Sequence, residues 1–96
     1  MRRNQKLTKV IVGRTIKTAT AEPGGVVVLF DDQSCIKIKT TSVAALSPGS
    51  KVKSVYETRA EFKIEFEDGS SATWRLDNPG SSVAVRDKNN AVEYLG

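Results

Sequence analysis

Two short acidic clusters are the first residues in this chain whose types could do chemistry. Asp31, Asp32 and Ser34 recur as Glu67, Asp68 and Ser70, 36 positions later. Grouped oxygens can hold a hard cation, and paired carboxylates can divide acid and base roles between them. Calcium, however, takes six or more oxygens from a defined loop, and neither cluster has EF-hand spacing. Asp, Gly and Ser also belong in hairpin turns for backbone reasons alone. At exposed tips without a pocket to shift their pKa values, these carboxylates read as turn residues.

The remaining reactive types are few. Cys35 is the single cysteine and histidine is absent. No intrachain disulfide can form, which suits a reducing compartment. The commonest general base and transition-metal ligand is missing, and a zinc site would need carboxylates almost alone. Lys37 shares the face of Cys35, but a buried, inert thiol is the simpler expectation. The expectation is no catalytic residue, no metal, no cofactor and no enzymatic activity.

Cations form the third group. Fifteen Lys and Arg against 11 Asp and Glu give a net charge of +4. That favours anionic partners without the density of dedicated nucleic-acid binders. Lys17, Lys37, Lys39, Lys51, Lys53 and Arg75 fall on outward strand positions, and Arg2, Arg3 and Lys6 lie on what reads as a flexible tail, residues 1–6. Such a row can track a phosphate backbone. It also suits strands that face water, where cations guard edges. Base recognition wants exposed aromatics. By alternation Phe30, Phe62, Phe66 and Trp74 point inward, and Tyr56 and Tyr94 share the apolar parity of Val52 and Val92.

The elements that must position these groups come from a repeat. Gly13–Thr40 aligns without a gap onto Gly49–Leu76, and a partial third copy opens at Pro79 and runs to Leu95. Five identities (Gly13/Gly49, Lys17/Lys53, Phe30/Phe66, Asp32/Asp68, Ser34/Ser70) are weak evidence alone. The coincident apolar positions weigh more: Ile16/Val52, Val26/Phe62, Val28/Ile64, Ile36/Ala72 and Ile38/Trp74.

Period-2 alternation predicts three strands per copy: 15–21, 26–30 and 34–40, then 51–57, 62–66 and 70–76. Keeping Phe62, Ile64 and Phe66 on one face with Ala72 and Trp74 demands an odd loop. Glu67-Asp68-Gly69, with Gly69 left-handed in a G1 bulge, satisfies that parity. The equivalent turn puts Gln33 in the left-handed position. Residues 82–87 and 91–95 predict a third hairpin around Lys88-Asn89-Asn90. Leu7–Val12 reads as an opening strand, and Thr41–Ser47 as a helical turn stopped by Pro48.

An apolar fraction of 39% indicates a folded chain, and 96 residues suit one domain with a single modest core. No apolar run approaches a bilayer span, and no apolar stretch long enough for a signal peptide follows the basic start MRRNQKLTK, so the expectation is cytoplasmic. The expected fold is all-β: an antiparallel meander closing into a small SH3-like barrel, with a two-sheet sandwich as the alternative.

The copies differ on their outward faces. The second hairpin presents Lys63, Glu65, Ser71, Thr73 and Arg75, as water requires, whereas the first presents Val27, Leu29 and Cys35 beside Lys37 and Lys39. That apolar patch must be covered, by the N-terminal segment or residues 41–46, or by a protein partner that includes a second copy. The expected function is a non-catalytic protein-interaction or regulatory module using Val27, Leu29 and Cys35. The alternative is a nucleic-acid-binding barrel using Lys17, Lys37, Lys39, Lys53 and Arg75, with Arg2 and Arg3.

Overall fold

A computed structural model describes residues 1–42, 44–77 and 82–96. Val43 and residues 78–81, which include the opening of the partial third copy at Pro79, lie outside the described residues. The order is β1 (Arg2–Arg3), α1 (Gln5–Ile11), β2 (Ile16–Glu22), β3 (Gly25–Phe30), β4 (Cys35–Lys39), β5 (Val52–Glu57), β6 (Glu61–Phe66), β7 (Ser71–Arg75), β8 (Val83–Arg86) and β9 (Val92–Leu95). Two antiparallel sheets result, β1-β5-β6-β7 and β2-β3-β4-β8-β9.

Alternation locates every strand of the three hairpins to within one residue. Val28, Phe30, Ile36 and Ile38 from one copy and Phe62, Ile64, Phe66, Ala72 and Trp74 from the other are buried in a single cluster. The three-residue turns also form. Phe66 N–H donates to Ser70 O and Gly69 N–H to Phe66 O, with Gly69 at φ +89°; Gln33 takes the same place at φ 71°, and Asn90 at φ 67°. A left-handed residue bearing a Cβ costs energy that glycine avoids. Gln33→Gly is therefore expected to raise stability by about 0.5–1 kcal/mol, read as a higher urea midpoint at unchanged slope.

The backbone hydrogen bonds obey the repeat. Ile16 N–H donates to Ser50 O and Val52 N–H to Arg14 O, each at 2.9 Å. Gly13 N–H reaches Val52 O (2.9 Å), and Gly49 N–H reaches Ile16 O (2.8 Å). Thr15 and Lys51, equivalent residues, face one another in an antiparallel bridge. Each copy carries a bulge at its equivalent lysine, Lys17 or Lys53. The copies are thus related by an approximate twofold through the Thr15–Lys51 bridge, and they share the core that neither fills alone.

No closed barrel forms among the described residues. At the corner opposite the bridge, the Thr40 hydroxyl donates to Arg75 O and Asp77 N–H to Lys39 O (3.3 Å). Sheet closure there needs β4 to pair with β7, but β8 already occupies that edge of β4. The C-terminal hairpin therefore extends one sheet and leaves two.

Three further expectations are corrected. Leu7–Val12 is not a strand. Leu7 and Ile11, four apart, are buried on one helical face, and Asn4 Oδ1 caps the helix by accepting from Leu7 N–H at 2.9 Å. The first six residues are not a loose tail: Arg2 and Arg3 pair with Glu57 and Tyr56, and Asn4 N–H donates to Val55 O (2.8 Å). Residues 44–47 form no helical turn; Ala44 and Leu46 instead pack against the core. Among the described residues no helix is long and apolar enough to cross a membrane.

Candidate interaction surface

Register across the five-stranded sheet arranges its outer face in two rows. Thr20, Val27, Lys37, Ala84 and Leu95 are successive cross-strand partners, and so are Thr18, Leu29, Cys35, Arg86 and Val92. Val27, Leu29, Cys35 and Ala84 are half-buried by their neighbours alone, while Val92 and Leu95 remain 47% and 66% exposed. The expected patch is thus one side of a larger apolar surface crossing β3, β4, β8 and β9, with the threonines of β2 along its margin. Lys37 and Arg86 stand diagonally within it, and Lys39 lies one row further on.

The two intramolecular covers lie elsewhere. α1 packs on β5 and β9 and buries Leu7 and Ile11 in the core. Ala44 and Leu46 also pack on the core cluster, in which Val27, Leu29 and Cys35 have no part. An open depression of about 670 Å³ indents this face, lined in part by Lys37, Lys39, Ala84, Arg86 and Leu95. Gly25 helps to make it. A Cβ at that position would stand 2.6 Å from Ile38 O, so the row through Lys39 has no β3 side chain.

The basic residues divide between the sheets. Lys37 and Lys39 project from β4. Lys53 is the bulged residue of β5, where it pairs with Glu65 at 3.7 Å. Arg75 ends β7, Lys17 sits in the β2 bulge, and Arg2 and Arg3 lie along β5. No continuous row of all seven exists. Bulges also redirect two residues from their expected parity. After the Lys53 bulge Tyr56 pairs with Lys63, whose ammonium lies 5.6 Å from the ring centroid. A register shift at Glu93 turns Val92 outward while Tyr94 packs against the core.

Each acidic turn is closed by its own aspartate. Asp68 Oδ1 accepts from Ser70 N–H (2.8 Å) and from its hydroxyl, and Asp32 makes the equivalent pair with Ser34. Burial pushes the Asp32 carboxyl up. The Ser34 hydroxyl and N–H, with the Arg14 charge, outweigh that and hold it below its ordinary value of 3.8. Hydrogen bonds from Ser70 hold Asp68 below 3.8 as well. The turns flank the Thr15–Lys51 bridge, through Asp31 N–H to Thr15 O and Glu67 N–H to Lys51 O. Three strand spacings thus separate them, about 15 Å. Paired catalytic carboxylates in hydrolysis of sugars stand about 5–9.5 Å apart.

One polar cluster escaped sequence reasoning. Arg14 makes a bidentate pair with Glu93 (Nη1–Oε1 3.1 Å, Nη2–Oε2 2.6 Å), donates to Ser34 Oγ (2.9 Å) and lies 3.6 Å from Asp32. It ties β9 to the first turn. No periodicity marks Arg14 or Glu93, which stand 79 residues apart. Ala84 and Arg86 were legible by alternation with Val83 and Val85, but Val92 was not, because the shift at Glu93 reverses parity. Comparison of the chain with protein-family models, with curated proteins and with solved structures gives no match.

Proposed function

We propose that this protein is a non-catalytic module that binds another protein through the outer face of its five-stranded sheet. The observation that carries the reading is the face itself. Val27, Leu29, Cys35, Ala84, Val92 and Leu95 lie together, and no described element is packed over them. A patch of this kind, rimmed by polar residues, is characteristic of an interaction site. Lys37, Lys39 and Arg86 favour a partner surface that combines apolar side chains with carboxylates.

Leu29→Asp puts a charge at the patch without touching the core cluster. It is expected to weaken capture of the binding partner at least 30-fold, about 2 kcal/mol, in a titration against the partner isolated with the wild-type protein. The circular dichroism spectrum should be unchanged. An unfolded variant would make the patch part of the core and remove the basis for the reading.

A second reading, nucleic-acid binding, draws support from Lys37, Lys39 and Arg86 around the depression. It requires retention of DNA or RNA that weakens steeply as salt rises, because neutralised phosphates release counterions. No retention at low salt would dismiss it.

A further inference from the structure

The approximate twofold makes β2 the counterpart of β5, and the outer edges of the two strands differ. On β5 the edge is closed. Val55 N–H donates to Thr8 Oγ1 at 3.0 Å, Val55 O accepts from Asn4 N–H at 2.8 Å, and Arg2–Arg3 pairs alongside Tyr56 and Glu57. The equivalents are Ala19 for Val55, Thr20 for Tyr56 and Ala21 for Glu57. No described strand or helix lies along them, and Lys17–Glu22 are exposed throughout. By equivalence with Val55, the N–H and C=O of Ala19 point away from β3, and those of Ala21 do the same.

Edges elsewhere are guarded. β7 has Arg75 N–H bonded to Ser42 Oγ (2.8 Å), and β9 is only four residues long and carries α1 and the Arg14–Glu93 pair. Thr18-Ala19-Thr20-Ala21 has no charge and no proline, the devices by which sheet edges avoid pairing. We infer that β2 pairs with β2 of a second copy, antiparallel about Thr20, joining two five-stranded sheets into one.

Three features select this occupant and register. Ala19 of one copy faces Ala21 of the other, so both pairs of free backbone groups on each chain are satisfied. Thr20 faces Thr20 between them, a favourable cross-strand pair with β-prone side chains. Lys17 at one end of the segment and Glu22 at the other are brought together only by the antiparallel arrangement, whereas a parallel one sets lysine beside lysine. The inference goes beyond the partner-binding reading, because it uses the edge of the sheet and leaves the Leu29 face open.

Equilibrium sedimentation of the full chain tests it. The wild type is expected at twice 10.4 kDa, and Thr20→Lys, which sets two ammonium groups against each other on the axis, at 10.4 kDa with an unchanged circular dichroism spectrum. Ala19→Pro should do the same by removing an N–H that β3 does not use. In a Cys35→Ser background, Thr20→Cys should cross-link on mild oxidation. Facing non-hydrogen-bonded residues stand about 4.5 Å apart at Cα, within disulfide reach. Leu29→Asp should leave the dimer intact, which separates this result from failure of the partner-binding face. A monomeric wild type, or a Thr20→Lys variant that remains dimeric, would overturn the inference.

Discussion

Trp74→Ala is expected to cost about 3–5 kcal/mol, at the top of the range for truncating one buried side chain. Trp74 is 1% exposed, pairs across β6–β7 with Phe62, and its ring centroid lies 6.1 Å from that of Phe62 at a tilt of 33°. A domain of this size holds only about 5–14 kcal/mol in total, so the variant should sit near or beyond the edge of folding. Urea titration followed by far-ultraviolet circular dichroism measures it, since the only tryptophan is gone. Trp74→Phe should keep much of the packing and lose about 1–2 kcal/mol. On the opposite face of the same strand, Thr73→Ala should stay within about 0.5 kcal/mol. Were Trp74→Ala no worse than Thr73→Ala, the inward set inferred from alternation would be wrong.

The same alternation explains what the sequence could and could not show. A strand with one wet face writes its parity directly into the chain, so Phe62, Ile64, Phe66, Ala72 and Trp74 were readable as one wall of the core. Loop length followed from that parity, and the left-handed Gly69, Gln33 and Asn90 followed from loop length. Bulges are where this logic stops. One extra residue at Lys53 or Glu93 inverts every later position, and nothing in the composition of those segments announces it. The helix at Gln5–Ile11 was hidden for another reason. At seven residues it is too short to show a period, and it persists because its edge contacts with β5 satisfy Asn4, Thr8 and Val55 together.

Topology was only half legible. The repeat indicates two equal units around a shared interior, and the matched hydrogen bonds across Thr15–Lys51 carry that out. Whether the units close a barrel depends on which strand reaches the edge of β4 first. That edge goes to β8, a pairing of strands far apart in sequence that local pattern does not encode. The surface shows the same limit. Val27, Leu29 and Cys35 stood out because the second copy has Lys63, Glu65 and Ser71 at the matching positions. Their continuation through Ala84 to Val92 and Leu95 needed the register of β8 and β9.

The Arg14 cluster was wholly invisible in sequence, and its removal is expected to have a large effect for a polar group near the surface. Arg14 and Glu93 side chains are 17% and 26% exposed, so the pair is mostly withdrawn from water. Arg14→Ala leaves Glu93 without its two charge-assisted bonds and Ser34 and Asp32 without their cation. A loss of about 2 kcal/mol is expected, less than for a fully buried pair because solvent reaches Glu93. Hydrogen exchange should quicken first in β9, which the pair holds against the first turn. Adding Glu93→Gln to Arg14→Ala should cost little more, giving a coupling of about 1 kcal/mol or above in a double-mutant cycle. Acid supplies an independent check. Burial works against the Asp32 charge, yet the Ser34 bonds and Arg14 together keep the folded carboxyl below 3.8. A lowered folded value stabilises above 3.8 and loses that stabilisation as pH falls through it. Part of the gap between wild type and Arg14→Ala should therefore narrow in acid. Additive single effects, with a gap that is constant down to the acid transition, would show that Arg14 contributes only its aliphatic packing.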